Sequence, residues 1–378
     1  MKKKLSLVLA IMLTLVLALP TVALSAEPRV DESEVDQARR AGQVFVNRLA
    51  GIDPNFLEWK GAHLVAPQLC YNLEGQVNAY MFAIEKDNRI VGRIVVGSSS
   101  YGYTVFEAGE ATPFPFPTAD KVKSSLGKYL GIKVDEESIG EPRHLVYLGF
   151  GEFYAIYEIK RQMIGVNLVS GRAVPASELK SYIGSPQEFK AAKKQFRESK
   201  PEPLGSSGYK ILEEMHVWRD IESGKTYCGP CTGVSIGDYY RDRTQFQPNY
   251  PNLYGDNECM YDRLYDLMEC DLFGGAALPV FWEEGIMKMT QECGYNNFGY
   301  VNDDDVTPND FWVAVSDINM GWPLGWLMPS QLHWRGIKGY WYDTDDHRIC
   351  CTDSKTGEDN AWYYWPSNIG AYTACIKD

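Results

Sequence analysis

The chain has 378 residues, 45% hydrophobic and 23% charged. That composition excludes a disordered or collagen-like polymer, and the length suits two or three domains. Net charge is −13, from 37 basic and 50 acidic residues, with no basic run beyond Lys2-Lys3-Lys4. Such a chain repels a phosphate backbone, so nucleic acid is not expected as a partner.

The lysine run is followed by an apolar stretch, Leu5 to Leu19, then Pro20 and a small-residue end, Ala23-Leu24-Ser25-Ala26. This is the pattern of a secretory signal peptide over residues 1–26. The apolar stretch falls short of the ~20 residues that span a bilayer, and retention as an uncleaved anchor is the alternative. No Cys follows directly, so no lipid anchor is indicated. Losing the leader removes three lysines and makes the remainder more acidic. The mature protein is expected to be secreted, extracellular or at the cell envelope, with no membrane partner.

Residues 27–196 read as one unit used twice. Glu34–Leu49 carries Val35, Ala38, Ala41, Phe45, Val46 and Leu49 at helical spacing. Strand-like runs follow at Val77–Glu85, Ile90–Val96 and Tyr101–Phe106, separated by the turns Lys86-Asp87-Asn88 and Ser98-Ser99-Ser100. After a Pro-Phe alternation ending at Pro117, a second helix is expected over Thr118–Leu130, then strands at His144–Leu148, Phe153–Ile159 and Met163–Leu168. The two helix-plus-sheet modules are thus 27–115 and 116–196, closed by a basic helix over Gln187–Phe196. Nothing in them reads as catalytic. His63 and His144 lack spaced partners, and Cys70 reads as a buried core thiol. Residues 197–208, charged and then rich in Pro, Gly and Ser, read as a linker.

The chemistry lies in residues 209–378. Of nine cysteines, all but Cys70 fall from Cys228 onward. Disulfides are compatible with export, and the odd total leaves at least one free thiol. Tyr227-Cys228-Gly229-Pro230-Cys231 precedes a helix expected over Thr232–Tyr240, so Cys228 sits where the helix dipole favours a thiolate. Three readings compete. Cys-Gly-Pro-Cys is the thioredoxin tetrapeptide, but that fold needs a buried apolar strand before it, and Arg219–Thr226 is polar. A metal site from Cys228, Cys231, Cys350 and Cys351 has ligand spacing in its first pair, but adjacent cysteines fit one tetrahedron poorly. The third reading is a cysteine nucleophile with a distant His as base and a carboxylate to orient it. Only His216, His333 and His347 lie in this half. His333 opens a strand-like run to Tyr342, a second run covers Arg348–Thr352, and Asp353 follows. A hairpin would bring His333 and Asp353 to the same end. His347 is placed in the turn at the far end, exposed to solvent, and His216 before the nucleophile loop, with a structural role.

Cys228-Gly229-Pro230, Gly237-Asp238-Tyr239-Tyr240, Asn319-Met320-Gly321-Trp322-Pro323, His333 with Gly339-Tyr340, and Asp353 together resemble the bacteriocin-processing type of cysteine peptidase (family thirty-nine), in the papain superfamily. The resemblance spans roughly residues 215–375. More loosely, the front half resembles the prodomains of streptopain-like exported peptidases. The resemblance implies Cys228 as nucleophile, His333 as general base and acid, and Asp353 as orienter, the same three that spacing selects. The sequence departs from the family in three places. The family's Gln about six residues before the nucleophile is missing, which leaves the oxyanion to the Cys228 backbone N–H and to Trp218 or Ser223; one lost donor costs ~2.7–4 kcal/mol of transition-state stabilisation. Cys231 stands where the family has a small or hydroxyl residue and is a possible redox partner for Cys228. Arg335 and Lys338 charge a strand that is usually apolar.

The expected fold class is α+β, a papain-like peptidase domain preceded by a repeated helix-plus-antiparallel-sheet region. The expected function is an exported thiol-dependent peptidase acting on peptide or protein substrates, without metal or cofactor, with its own N-terminal region as a possible inhibitor cut away at the linker. A non-catalytic peptidase-like binding module and a CxxC thiol–disulfide oxidoreductase are the alternatives. Asn302-Asp303-Asp304-Asp305 reads as a solvated loop rather than a calcium site, and Trp312, Trp322, Trp326, Trp334, Trp341, Trp362 and Trp365 as core and cleft walls.

Overall fold

Asp31 starts the first helix, α1 (Glu32–Ile52): its carboxylate accepts the Ser33 N–H, and Glu32 and Glu34 lie at the positive end of the helix dipole. Val35, Ala38, Phe45, Val46 and Leu49 form its buried face, at the spacing the sequence shows. Gly42 lets this face come close to the sheet, since a Cβ there would stand 2.8 Å from a Leu64 methyl. The structure, a computed structural model, describes residues 31–110, 119–131, 141–199, 205–225, 227–242, 256–273, 279–292, 302–303, 308–328, 333–344, 346–365 and 372–375. The segment 1–26, expected from sequence to be a signal peptide, lies outside them. Among the described residues no helix is long and apolar enough to cross a membrane.

The protein is mixed α+β, with helices packed on one large mixed sheet. Strands β1 (His63–Tyr71), β2 (Val77–Lys86), β3 (Arg89–Gly97) and β4 (Val105–Gly109) form an antiparallel meander. After α2 (Ala119–Leu130), a second antiparallel run comprises β5 (His144–Gly149), β6 (Glu152–Ile159), β7 (Gln162–Asn167) and β8 (Ala173–Pro175). It joins the first through a parallel pairing of β5 with β1 at Tyr71↔Val146. The two front modules share an order of elements, a helix and then strands, and lie side by side in the sheet. Strand β1 is absent from the sequence reading because Pro67 interrupts it. The structure accommodates Pro67 with Ala66 at φ 49° and a register shift between Val65 and Gln68. Tyr101, expected in a strand, belongs to a short 3-10 turn.

Helix α3 (Pro186–Ser199) takes up the first residues of the expected linker, and β9 (Gly208–Ile211) its end. The back half then supplies α4 (Cys228–Asp242), α5 (Asn257–Leu267), α6 (Pro279–Glu292), the short β10 (Asn302–Asp303) and α7 (Pro308–Met320). Five strands follow: β11 (Leu324–Met328), β12 (His333–Tyr342), β13 (His347–Asp353), β14 (Glu358–Tyr364) and β15 (Tyr372–Cys375). The order runs β10-β15-β11-β12-β13-β14 and continues into β4-β3-β2-β1-β5-β6-β7-β8, with β9 on β12. Front and back are therefore one hydrogen-bonded sheet, joined at Trp362↔Ala108 and Tyr363↔Glu107. The core crosses the same seam: Phe45 and Val46 of α1 share a buried cluster with Trp341, Cys350 and Trp362. Phe150 and Phe196 of the front half are buried among Trp326, Phe311 and Tyr363 of the back half.

Candidate active site

The first turn of α4 carries Cys228, half-buried, with Gly229, Pro230 and Cys231 buried behind it. Pro230 suits a first turn, where its missing N–H deprives the helix of nothing. The start of α4 is pinned by Trp282 of α6, whose indole Nε1 donates to the Gly229 carbonyl at 3.0 Å. Trp282 in turn stacks on Trp334 of β12, with ring centroids 4.3 Å apart and planes at 15°. Gly325 makes room for this stack, since a Cβ there would lie 2.2 Å from the Trp282 ring. Helix α4 is thus fixed against the strand that carries His333. Sequence reasoning missed Trp282, which lies 53 positions from Gly229 with no local signal.

Strands β12 and β13 pair antiparallel with Gly336↔Thr352. Carried one step further, that register sets Asp353 across from Arg335, and period-two alternation puts His333 on the same face as Arg335. The His333 ring Nε2 lies 2.8 Å from Asp353 Oδ1, and both side chains are buried. The carboxylate has further partners. Arg335 Nε donates to Oδ2 at 2.7 Å and the Tyr363 hydroxyl donates to it at 3.3 Å, while the Lys355 backbone N–H donates to Oδ1 at 2.9 Å. Asp353 is fully buried.

The Cys228 thiol is hydrogen-bonded to His333 and to the Trp334 backbone N–H. With Nε2 committed to Asp353, the ring nitrogen left for sulfur is Nδ1. Burial pushes the Cys228 thiol up, but the His333 hydrogen bond and charge, with the Trp334 N–H, outweigh it, and the net shift is down from 9.0. For His333 burial pushes down and Arg335 adds to that, yet Asp353 and the thiol prevail, and its pKa is raised from 6.5. Asp353 itself is held well below the usual carboxylate range, burial being overcome by Arg335 and His333. The two shifts move toward each other, which favours a thiolate beside an imidazolium.

No disulfide joins Cys228 to Cys231. Cys231 is turned away, with its Sγ 3.6 Å from the Lys225 carbonyl. Burial and the neighbouring Cys228 raise its pKa, so it is a poor thiolate. Of the two oxyanion candidates, Ser223 is otherwise engaged. The Ser223 hydroxyl donates to Asp220 Oδ2, in an exposed turn held by Asp220. The Trp218 backbone N–H donates to Ser235 Oγ at 3.0 Å, and its ring packs beside Tyr261.

Cys350 and Cys351 face opposite sides of β13, Cys350 in the core under α1 and Cys351 in the core under α4. Among the described residues no cluster of His, Cys, Asp and Glu could hold a metal ion. His347 corrects an expectation: it is buried, not solvated. Its ring stacks on Phe196 at 3.5 Å, and burial, with Arg348 and Lys193 nearby, holds its pKa well below 6.5. His216 is exposed, 3.5 Å from Asp359. Asp304 and Asp305 lie outside the described residues. Arg335 and Lys338 are both buried. Arg335 is held by Asp353 and by the Phe150 carbonyl at 2.8 Å, and Lys338 by the Met215 carbonyl.

No family model and no curated protein matches this chain. Among solved structures, a fragment of prointerpain A from Prevotella intermedia overlaps 82% of this chain and 98% of its own, at 10% identity and a TM-score of 0.38. A likeness that slight carries no argument about function. The site stands on its own geometry.

Proposed function

We propose that this chain is a cysteine-type peptidase of papain-like design in which Cys228 is the nucleophile, His333 the acid and base, and Asp353 the orienter. The observation that carries the reading is the thiol hydrogen-bonded to an imidazole whose other nitrogen is held by a buried carboxylate. In the reaction, the Cys228 thiolate attacks an amide carbonyl carbon, forming a C–S bond and an oxyanion. The His333 imidazolium then gives its Nδ1 proton to the leaving amine as the C–N bond breaks, which leaves a thioester. Water, deprotonated by the neutral ring, attacks the thioester, and the acid leaves as the thiolate and imidazolium are restored. Asp353 keeps the ring oriented and favours its charged form throughout. No step needs a metal or cofactor. The substrate class is peptide or protein, met outside the cytoplasm if the leader acts as an export signal.

A second reading, a peptidase-like binding module, is favoured by one observation. The Ser223 hydroxyl, one of the groups that would replace the missing Gln, already has a partner in Asp220.

Treatment with a thiol-directed epoxide at mild pH separates the readings. The peptidase reading expects single, fast labelling at Cys228 that is lost in His333→Ala. Slow labelling indifferent to His333 would overturn it in favour of the binding module. Labelling only after reductant, together with insulin-reducing activity, would instead point to redox chemistry at Cys228 and Cys231.

A further inference from the structure

The front half reaches into the back half behind the site, at the turn between β5 and β6. Gly149, Phe150 and Gly151 all have positive φ (107°, 51° and 73°), so the chain folds back sharply there. The turn is held from below, where the Gly151 N–H donates to Glu107 Oε2 at 2.6 Å and the Tyr147 hydroxyl donates to the same carboxylate at 3.0 Å. Beside it, Glu152 pairs with Lys355, two residues past Asp353. The Phe150 ring is buried between Trp326 and Tyr363, with centroids 5.7 and 6.0 Å away. Its carbonyl accepts a hydrogen bond from Arg335 Nη2 at 2.8 Å, while Nε of the same guanidinium donates to Asp353 at 2.7 Å.

Building on the peptidase reading, we propose that the front region is a permanent working part of the site: the Gly149–Gly151 turn fixes Arg335 through the Phe150 carbonyl, and Arg335 fixes Asp353. The guanidinium is a rigid planar fork. Once Nη2 is anchored on the front half, the direction of the Nε–H is set, and with it the carboxylate that must face His333. Arg335 and Phe150 are positioning residues, since neither touches the reacting atoms. Without the turn, a buried guanidinium would lose one of its acceptors and seek another, taking Asp353 Oδ2 with it. A removable inhibitor has no reason to hold the orienting carboxylate in register, and the triad is already hydrogen-bonded with the front half docked. The inhibitor expectation and this inference make opposite predictions. Losing the turn activates the protein in the first and impairs it in the second.

The test uses the full chain. Gly151→Val puts a β-branched residue at φ 73°, beside Arg335 Nη2 and the Tyr363 hydroxyl (each 3.9 Å from a Cβ there), and so displaces the turn. Arg48→Ala is the control. It removes another contact between front and back halves, the Arg48–Asp343 pair, at a distance from the triad. The pH profile of Cys228 alkylation by iodoacetamide, digestion of labelled casein and the thermal midpoint are measured for each. Asp353 pulls His333 up more than Arg335 pushes it down. Misaligning Asp353 therefore weakens the thiolate–imidazolium pair. In Gly151→Val the alkylation midpoint is expected to move to higher pH by about one unit, which means about tenfold less thiolate below it. Casein turnover is expected to fall about 10–100-fold, as for a small displacement of a catalytic group. Arg48→Ala should lower the thermal midpoint alone.

A folded Gly151→Val with the wild-type profile, or one more active than wild type, overturns the proposal while leaving the peptidase reading intact. An ordinary thiol profile in the wild type sinks the peptidase reading first. If Gly151→Val does not fold, Gly149→Ala takes its place: its Cβ would press on Ile183 at 3.0 Å from a residue at φ 107°. The same outcomes decide.

Discussion

Asp353 in the back half and Glu107 in the front half are both fully buried carboxylates, each beside a buried arginine, yet they are driven in opposite directions. Glu107 is raised above 4.5, because burial outweighs Arg93 and the Gly151 N–H, and Glu358 opposes ionisation further. Arg93 is shared, lying 3.6 Å from Glu107 and 3.1 Å from Glu358. Asp353 has Arg335 and His333 at hydrogen-bond distance, and a backbone N–H besides. Burial alone decides neither case. One cation divided between two acids holds a buried carboxylate less firmly ionised, whereas two cations on one acid keep it ionised. The first arrangement stitches front to back, and the second keeps a carboxylate ready to hold a charged imidazole.

The contrast breaks most sharply at the acids themselves. Asp353→Ala strands Arg335 and removes the orienter. It is expected to cost about 3–5 kcal/mol by urea denaturation, as when one member of a buried ion pair is deleted, and to abolish casein turnover. Glu107→Gln, where burial already works against the charged form and the amide oxygen can still accept, should cost only about 1 kcal/mol in the same assay, the scale of one altered hydrogen bond. Equal losses at the two positions would erase the distinction.

Stability against pH sharpens it further. Asp353, lowered in the folded state, contributes stability above its unfolded pKa of 3.8 that is lost as pH falls through its folded value. Glu107, raised in the folded state, works the other way: stability falls as pH rises above 4.5. His333, also raised, contributes stability below 6.5 that fades as pH rises through its folded pKa. His347 and Cys228, both lowered, oppose this and add stability as pH rises toward 6.5 and toward 9.0 respectively. The sign is therefore read as a difference: Glu107→Gln should remove the downward contribution to the thermal midpoint that begins at 4.5. A Glu107→Gln protein whose midpoint follows pH just as the wild type's does would contradict that sign. The smallest effect is expected where Lys225→Met removes a pair with Asp262 (2.9 Å), whose carboxylate is exposed. The cost should be about 0–1 kcal/mol, reduced by salt.

The sequence made some of this legible. Cys228 stood out by its helix start, and His333 because so few histidines compete with it. Asp353 was reachable through a hairpin argument that needs only local chain. Arg335 was visible as a charge out of place on a strand. Alternation two residues from His333 pointed at its partner, a signal that could have been used. Phe150 was out of reach, because its carbonyl meets Arg335 across 185 positions of chain. His347 misled for a related reason. Its neighbours in sequence are polar, while the rings that bury it come from Phe196, Phe311 and Tyr364. Hydrophobic periodicity located β2, β3, β5, β6 and β7, but it says nothing about which edges join, and so the union of β14 with β4 could not be read.

That union has a cost in time. Strand β4 leaves the ribosome about 250 residues before β14 does, an interval on the order of tens of seconds at bacterial or eukaryotic elongation speeds. Throughout it, the backbone groups of β4 that await Trp362 and Tyr363 form a bare border open to any passing strand. During biogenesis the front half therefore passes that interval with one sheet edge unpaired.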